Sequence, residues 1–231
     1  MSNSTAAREA ARQRDGKFGT QPRDAVDIPL DDKPTMTLHP DGTREWLLNG
    51  KLHRLDGPAV EHADGACEWR LNGKLHRLYG PAIERANGTR MWLVGGKLHR
   101  LDSPAIEWAD GGREWYSNGR RHRLDGPAIE LADGTHEWRL NGALHRLDGP
   151  AAEYADGTRI WLVNGKYHRL DGPAIEYADG TRIWYLNGRH HRLDGPAVEY
   201  ASGHREFWIE GKHYRTEADW RQAVEASTHT G

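Results

Sequence analysis

The stretch GKLHRLDGP at residues 50–58 returns six more times along the chain with small changes. The later copies are GKLHRLYGP at 73–81, GKLHRLDSP at 96–104, GRRHRLDGP at 119–127, GALHRLDGP at 142–150, GKYHRLDGP at 165–173 and GRHHRLDGP at 188–196. Each copy begins 23 residues after the one before it. A fixed period of this size is typical of an array in which one supersecondary unit stacks on the next.

The residues around this stretch predict two main strands in every repeat. In the first repeat TREWLL (43–48) is rich in strand-forming residues, and Asn-Gly at 49–50 is a hairpin signal. PAVEHA (58–63) predicts a second strand, and Asp-Gly at 64–65 turns the chain into the next repeat. The segment 50–57 is either a long loop or a third short strand.

Two architectures fit this pattern, a parallel β-helix with one coil per repeat and an antiparallel meander. The β-helix would stack seven equivalent glutamates about 4.8 Å apart, where like charges repel. The glutamates concerned are Glu61, Glu84, Glu107, Glu130, Glu153, Glu176 and Glu199. The meander places another strand between them and is therefore favoured.

The turn between repeats decides the strand register. A two-residue Asp-Gly turn would set Glu107 opposite Glu114, which is unfavourable. A three-residue Ala-Asp-Gly turn, with its glycine in the left-handed conformation, instead sets most of the glutamates opposite a basic residue. The expected pairs are Glu84–Arg90, Glu107–Arg113, Glu130–His136, Glu153–Arg159, Glu176–Arg182 and Glu199–Arg205, with Glu61 opposite Cys67.

The sequence thus predicts an all-β fold: an elongated antiparallel β-hairpin repeat meander, forming one twisted sheet with a short C-terminal capping helix. Residues 1–34 are polar and charged, which predicts a flexible tail with a short helix around Thr5–Arg14. Residues 35–215 hold seven and a half repeats. Residues 216–231 contain Trp220, Ala223 and Val224 at helical spacing, which predicts the cap helix and a tail.

Composition narrows the functional classes. The 231 residues carry 32 basic and 34 acidic side chains, a net charge of −2, so no bulk charge attracts nucleic acid or anionic membrane. Cys67 is the sole cysteine, which excludes an intramolecular disulfide and fits a reducing compartment. Neither a secretory signal nor an apolar run of about 20 residues is visible. We therefore expect a cytoplasmic protein without a membrane span.

The repeated loop brings together His53, Arg54 and Asp56, residue types found in catalytic and metal sites. Catalysis needs one preorganised pocket with distinct roles, whereas these loops are seven similar copies. One loop also offers at most two metal ligands, although two neighbouring loops could supply four. We expect no enzyme activity, no cofactor and no metal site, with the arginine bridging to Asp56 or Glu45.

Tryptophans recur at one strand position and predict a spine that the loops fold over. This spine comprises Trp46, Trp69, Trp92, Trp115, Trp138, Trp161 and Trp184. Two strand positions on the opposite sheet face change from repeat to repeat and are free for partner specificity. One holds His62, Arg85, Trp108, Leu131, Tyr154, Tyr177 and Tyr200, and the other holds Leu47, Arg70, Leu93, Tyr116, Arg139, Leu162, Tyr185 and Trp208.

Tyrosine, tryptophan and arginine are enriched in binding hot spots, so this changing face is the predicted protein-binding surface. Its candidate partner-binding residues are Arg85, Trp108, Tyr116, Arg139, Tyr154, Tyr177, Tyr185 and Tyr200. The alternative is that these are ordinary half-buried sheet residues. Carbohydrate binding on the same aromatic residues is a further alternative.

A second candidate surface is the loop edge, where seven arginines could follow a phosphate backbone. These are Arg54, Arg77, Arg100, Arg123, Arg146, Arg169 and Arg192. An aspartate in most loops reduces the local charge, so nucleic-acid or nucleotide binding is the alternative function rather than the favoured one.

The pattern W-x-x-N-G-K-x-H-x(3)-G-x-A, closed by A-D-G, resembles the MORN repeat over about three quarters of the chain. The family usually has a glycine directly after the histidine, whereas Arg54-Leu55-Asp56 and its equivalents are inserted here. This longer loop resembles the variant 23-residue repeat of bacterial, phage and giant-virus proteins. The resemblance implies a non-catalytic scaffold, and a phage version would capture or inhibit a host defence factor in the host cytoplasm. A homodimer through a free edge strand is a further expectation.

Overall fold

The computed structural model describes residues 33–228. The predicted tail, residues 1–34 with its helix around Thr5–Arg14, lies outside the described residues apart from its last two. From Thr35 onward the chain forms antiparallel strands that pair in sequence order. The predicted fold class is confirmed: a long antiparallel meander of hairpin strands is followed by a C-terminal helix.

Each repeat contributes two strands to a continuous ladder. In the first repeat Val60–Glu61 pairs with Arg44–Leu48 on one side and with Cys67–Glu68 of the next repeat on the other. The observed second strand is therefore much shorter than the predicted 58–63. In chain order the ladder strands are Thr35–Leu38, Arg44–Leu48, Val60–Glu61, Cys67–Glu68, Ile83–Glu84, Arg90–Met91, Ile106–Glu107, Arg113–Glu114, Ile129–Glu130, His136–Glu137, Ala152–Glu153, Arg159–Ile160, Ile175–Glu176, Arg182–Ile183, Val198–Glu199 and Arg205–Ile209.

In each repeat we call the stretch that carries the spine tryptophan, Arg44–Leu48 in the first repeat, the long strand. Its C-terminal end leaves the ladder and pairs with a short return strand, and the two form what we call a side hairpin. Leu47 and Leu48 pair with Lys51–Leu52 across Asn49-Gly50, where both turn residues have positive φ as a type I′ turn requires. The return strands are Lys51–Leu52, Lys74–Leu75, Lys97–Leu98, Arg120–Arg121, Ala143–Leu144, Lys166–Tyr167, Arg189–His190 and Lys212–Tyr214. Except in the first and last hairpins, their partners are the separate strands Arg70–Leu71, Leu93–Val94, Tyr116–Ser117, Arg139–Leu140, Leu162–Val163 and Tyr185–Leu186.

The segment left open by the sequence, 50–57, is thus a short strand followed by a loop. Successive side hairpins are joined to each other as well as to the ladder. The amide of Gly73 donates to the carbonyl of Leu52 at 2.8 Å, and the later repeats make the equivalent bond at 2.8–2.9 Å. The hairpins consequently stack in register beside the ladder.

The predicted register is confirmed at all seven turns. Glu84 faces Arg90, Glu107 faces Arg113, and Glu61 faces Cys67, with the remaining pairs as expected. In the first of these turns the amide of His62 donates to the carbonyl of Ala66, which leaves Ala63, Asp64 and Gly65 as the loop. The ion pairs between facing residues of the described ladder strands run to the other ladder neighbour instead, as between Arg90 and Glu107 at 3.0 Å.

Each repeat has few fully buried side chains among the described residues. One alanine per repeat has no exposed surface: Ala59, Ala82, Ala105, Ala128, Ala151, Ala174 and Ala197. The amide of Ala59 donates to Glu68 at 2.7 Å, and its carbonyl accepts from Trp46 at 2.9 Å, so it bridges two long strands. The residue that follows, such as Ile129 or Val198, is nearly as buried. Stability therefore has to come from side-chain contacts repeated along the array.

The helix α1, Glu217–Thr228, follows the last return strand. Its first turn is capped by Thr216, whose hydroxyl accepts from the amide of Asp219 at 3.1 Å and donates to that residue's carboxylate at 2.7 Å. Trp220 is buried against Phe207, with ring centroids 5.2 Å apart, and donates to the carbonyl of Arg192. Within residues 33–228 no helix has the length and apolar character needed to cross a membrane.

Candidate functional site

The loop arginine lies over the indole ring of the tryptophan of its own repeat. The guanidinium carbon is 3.8–4.0 Å from the centre of the indole ring in all seven repeats, as for Arg54 over Trp46 and Arg123 over Trp115. This is the distance of a close cation–π contact. The expectation that the loops fold over the tryptophan spine is confirmed, and the arginine is the residue that makes this contact.

The same guanidinium has further partners. Arg54 pairs with Glu61 at 3.2 Å and donates to the carbonyl of Pro58 at 3.3 Å, and all seven arginines repeat both contacts. Five of them also hold the loop aspartate at 2.8–3.0 Å, as Arg54 holds Asp56. The expected bridge to Asp56 is confirmed. The other partner that the sequence left open, Glu45, lies on the opposite sheet face and pairs with His39.

The glycine of RLDGP makes room for this arginine. A Cβ on Gly126 would lie 2.9 Å from the guanidinium carbon of Arg123, closer than real contacts allow. The third loop has Ser103 at this position. Arg100 keeps its tryptophan and glutamate there, but the described residues include no pair between Arg100 and Asp102. The glycine thus permits the aspartate contact rather than the stack.

The loop histidine connects one repeat to the next. Its Nδ1 lies 3.1–3.3 Å from the backbone N–H of the next side-hairpin turn, as His122 accepts from Asn141. Within residues 33–228 no cluster of three or more histidine, cysteine, aspartate or glutamate side chains is arranged to hold a metal ion.

The opposite sheet surface, which we call the variable face, carries the residues at positions 45, 47, 52, 60 and 62 and their equivalents every 23 residues. In the middle repeats its glutamates are neutralised locally. Glu114 is buried and is held by Trp108, Tyr116 and Arg121 at 2.9–3.0 Å. Arg139 similarly pairs with Glu137 at 2.7 Å.

The character of this face changes in the sixth and seventh repeats. Isoleucine replaces the glutamate there, at Ile160 and Ile183. A run of rings follows on the neighbouring positions: Tyr167 stacks on Tyr185 at 4.9 Å, Tyr185 contacts His190 at 4.3 Å, and His190 contacts Trp208 at 5.0 Å. His213 continues the run from Trp208 at 4.6 Å.

Three tyrosines border this run of rings. Tyr154, Tyr177 and Tyr200 are each 37–43% exposed. Burial raises the pKa of Tyr185, and the phenols of Tyr167, Tyr177 and Tyr200 raise it further. We call the whole set the aromatic patch: Tyr154, Tyr167, Tyr177, Tyr185, His190, Tyr200, Trp208 and His213.

The patch favours uncharged ring forms. Burial between its neighbours lowers the pKa of His190, although Glu206 acts in the opposite direction. A hydrogen bond from Tyr200 to Glu206 at 3.0 Å raises the pKa of Tyr200. Glu206 also accepts from the indole of Trp208 at 2.9 Å, so its carboxylate is held at the rim. The surface presented is therefore apolar ring faces with phenol and imidazole groups between them.

The eight predicted partner-binding residues fall into two groups on this face, with Arg85 apart from both. Tyr154, Tyr177, Tyr185 and Tyr200 belong to the aromatic patch. Trp108, Tyr116 and Arg139 are instead held by Glu114 and Glu137 in the ion-paired repeats. Arg85 is exposed near the N-terminal end of the same face. The residues that sequence reasoning left out are Tyr167, His190 and His213.

These missed residues stand on the return strands, where the position reads Leu, Leu, Leu, Arg, Leu, Tyr, His, His along the chain. The signal was therefore present, because this position varies as much as the two that were chosen. It was not used because 50–57 could be a loop, and a loop position has no assigned sheet face.

The seven loop arginines of the alternative surface are all engaged in the contacts described above. Their side chains are only 19–31% exposed. No protein-family model matches the chain, and no curated protein shows significant similarity to it. The resemblance to the MORN repeat therefore stays a prediction.

Proposed function

We propose that this chain is a non-catalytic repeat scaffold that binds a partner protein through the variable face, centred on the aromatic patch. The single observation that carries the proposal is the continuous run of rings from Tyr167 to His213, bordered by three partly exposed tyrosines. Tyrosine and tryptophan dominate protein-binding hot spots because they provide large contact areas at low conformational cost.

The comparison between repeats supports the same choice. In the middle repeats the variable face satisfies its own charges, as Glu114 and Glu137 do with their neighbours. The patch presents ring faces whose burial is incomplete, and removing such apolar area from water contributes about 25 cal/mol per Å². A partner that covers the patch gains this term without having to break an ion pair.

Affinity capture from cell lysate tests the proposal. The wild-type protein should retain a specific partner, and the triple variant Tyr154→Ala, Tyr177→Ala, Tyr200→Ala should lose it. These three side chains are 37–43% exposed, and the bond from Tyr200 to Glu206 lies at the exposed surface, so the variant should melt near the wild-type temperature. Circular dichroism checks that condition.

A matched control changes three exposed side chains elsewhere, with Lys51, Lys74 and Lys97 replaced by alanine at the tips of side hairpins. This control should capture the partner as the wild type does. If the tyrosine variant keeps every captured protein, the variable face is not the binding surface.

The finer form of the proposal rests on the resemblance to phage repeat proteins: the partner is a host factor, and capture inhibits a defence function. Co-purification from a bacterial host, followed by an infection assay with and without the protein, tests it.

Homodimerisation through Thr35–Leu38 is a separate proposal. This strand pairs with Arg44–Leu48 and carries the exposed Met36 and Leu38, and light scattering tests it.

The alternative function is nucleic-acid or nucleotide binding along the loop arginines. Its support is weaker, since each guanidinium already stacks on a tryptophan and pairs with a glutamate. Anisotropy measurements with labelled DNA and RNA at about 50 and 200 mM salt separate the two functions, because phosphate binding weakens steeply with salt.

A further inference from the structure

A row of apolar side chains on the loop edge has no role in the fold described above. It consists of one leucine per loop, next to the arginine: Leu55, Leu78, Leu101, Leu124, Leu147 and Leu170. These side chains are 65–83% exposed. A surface leucine standing alone needs no explanation, but six at a fixed spacing form a repeated apolar feature. We call it the leucine row.

The row borders three similar grooves, which lie between successive loops from the fourth to the seventh. The groove between the fifth and sixth loops has a volume of about 640 Å³ and is lined by Leu147, Pro150, Trp161, Val163 and Leu170 among others. Its neighbours, of about 640 and 610 Å³, have corresponding linings. Apolar side chains therefore line each of these three grooves, and two leucines flank it.

The outermost charge beside the row is negative. The loop aspartates that pair with arginine are 82–85% exposed, whereas the arginines beneath them are 19–23% exposed. Arginine hydrogen bonds keep the pKa of Asp125, Asp148 and Asp171 below the usual range, so these groups stay ionised. A second copy of this chain would bring its own aspartate row against these carboxylates, which disfavours self-association along this edge.

The chain itself shows what kind of element covers such a leucine. The next member of the series, Leu193, is only 43% exposed. The groove beside it is lined on its other side by Trp220, Arg221 and Val224 of α1. Residues four apart lie on one face of a helix, so α1 presents an aromatic and an aliphatic side chain to the edge, with Glu217, Arg221 and Glu225 beside them. It therefore shows a helix covering the leucine, and the basic character of the proposed partner rests on the loop aspartates alone.

The spacing of the row suits a helix that runs along it. Each repeat adds two ladder strands and so advances by roughly 9.6 Å. Seven residues of an α-helix advance by about 10.5 Å. Apolar side chains at every seventh position therefore stay near successive grooves over about three repeats.

We propose that the leucine row is a docking site for a basic amphipathic helix of a partner protein. The apolar side chains of this helix lie between successive leucines of the row, and its lysines and arginines face the loop aspartates. This surface is distinct from the variable face and does not depend on the function proposed for it.

The test uses three labelled synthetic peptides of about 21 residues and fluorescence anisotropy. The first peptide has leucine at heptad a and d positions and lysine elsewhere, and the second has glutamate in place of lysine. The third has the same composition as the first, but its residues are reordered so that no apolar stripe forms. We expect the full-length protein to bind the first peptide about tenfold or more tighter than the other two. Equal binding of the first and third peptides would overturn the proposal.

Two variants assign the binding to the row. The first is the triple variant Leu124→Ser, Leu147→Ser, Leu170→Ser. It should weaken binding of the first peptide about tenfold or more without unfolding the protein, since these exposed side chains do not stabilise the fold. Asp125→Asn, Asp148→Asn, Asp171→Asn should reduce both the affinity and its salt dependence. Unchanged binding by the serine variant contradicts the proposal, as would a wild-type dimer that the serine variant dissociates in light scattering.

The tyrosine variant of the variable face separates the two proposals. Tyr154→Ala, Tyr177→Ala, Tyr200→Ala should bind the peptide as the wild type does. Loss of peptide binding in this variant alone would move the peptide site to the variable face and reject the leucine row.

Discussion

The loop arginine connects three parts of each repeat. Its guanidinium covers a tryptophan, neutralises a glutamate on the ladder and binds the proline carbonyl that precedes the buried alanine. These three contacts connect the loop, the long strand and the short ladder strand. A structural loop without ladder hydrogen bonds can in this way be fixed by one side chain.

Replacing Arg123 with alanine tests this role. The change removes the contact with Trp115 at 4.0 Å and the pair with Glu130 at 2.9 Å. We expect a loss of about 2–3 kcal/mol in the free energy of unfolding, measured by urea titration of tryptophan fluorescence.

The matched control is Arg159→Ala. This side chain is more than half exposed and lies 3.6 Å from Glu176, so the cost should be less than about 1 kcal/mol. Equal losses in the two variants would mean that the tryptophan stack contributes nothing.

The loop aspartates make a pH-dependent contribution. Hydrogen bonds from arginine lower the pKa of Asp125, Asp148 and Asp171. A carboxyl with a lowered folded-state pKa stabilises the fold above its unfolded pKa of about 3.9, and this contribution disappears as the pH falls through the folded value. The wild type should therefore exceed the triple asparagine variant in urea midpoint at pH 7, and the two should converge below about pH 4.

The difference between the two proteins is the quantity to follow, because other carboxylates titrate in both. A constant difference down to pH 2.5 would show that the aspartates act through something other than their charge.

At the scale of the element, α1 takes the position of a missing loop. The last long strand has Phe207 where the other repeats have tryptophan, and Trp220 covers it as an arginine covers the tryptophan elsewhere. Trp220→Ala should therefore open the end of the array, at a cost of about 3–5 kcal/mol for a buried tryptophan.

Hydrogen exchange locates this effect. Amides of Val198–Glu199 and Lys212–Tyr214 should exchange faster in the variant, and those of the first four repeats should not change. Arg221→Ala, which removes only an exposed pair with Glu217, serves as the control and should leave both regions protected.

The sequence predicts the ladder well because period, turn residues and charge pairing agree. Asp-Gly turns at a fixed spacing imply hairpins, and the choice between two registers follows from which one sets Glu107 opposite Arg113. The partner of Arg54 is harder to predict, since Glu45 and Glu61 are both within reach in sequence. Which glutamate the arginine reaches depends on the face of the sheet over which the loop crosses. The direction of the return strand sets that face.

The same uncertainty explains which candidate residues were missed. Tyr167 and His190 could join the aromatic patch only once 50–57 and its equivalents were known to contain a strand. The leucine row was missed for a different reason. An unchanged apolar residue in every repeat normally indicates a core position, and nothing local in the sequence shows that the arginine has taken that place.

At the scale of the whole molecule, each repeat in the described residues contacts mainly its two neighbours. The loop amide of Arg123 donates to the carbonyl of Arg139, and the histidine and side-hairpin bonds also reach one repeat onward. Stability in such an array is a sum of repeat and interface terms rather than a property of one core. A local lesion should therefore open a local region.

Trp115→Ala provides that lesion, because Trp115 is the most buried tryptophan of the spine. The loss of its ring should cost about 3–5 kcal/mol within its own repeat. Hydrogen exchange should rise between Arg90 and Leu140, which covers this repeat and the interfaces on both sides. Protection of Arg182–Ile183 and Arg205–Ile209 should be kept, because α1 still covers that end of the array. Uniform loss of protection from Thr35 to Tyr214 would instead show that the array unfolds as one cooperative unit, and the two binding surfaces would then share their stability.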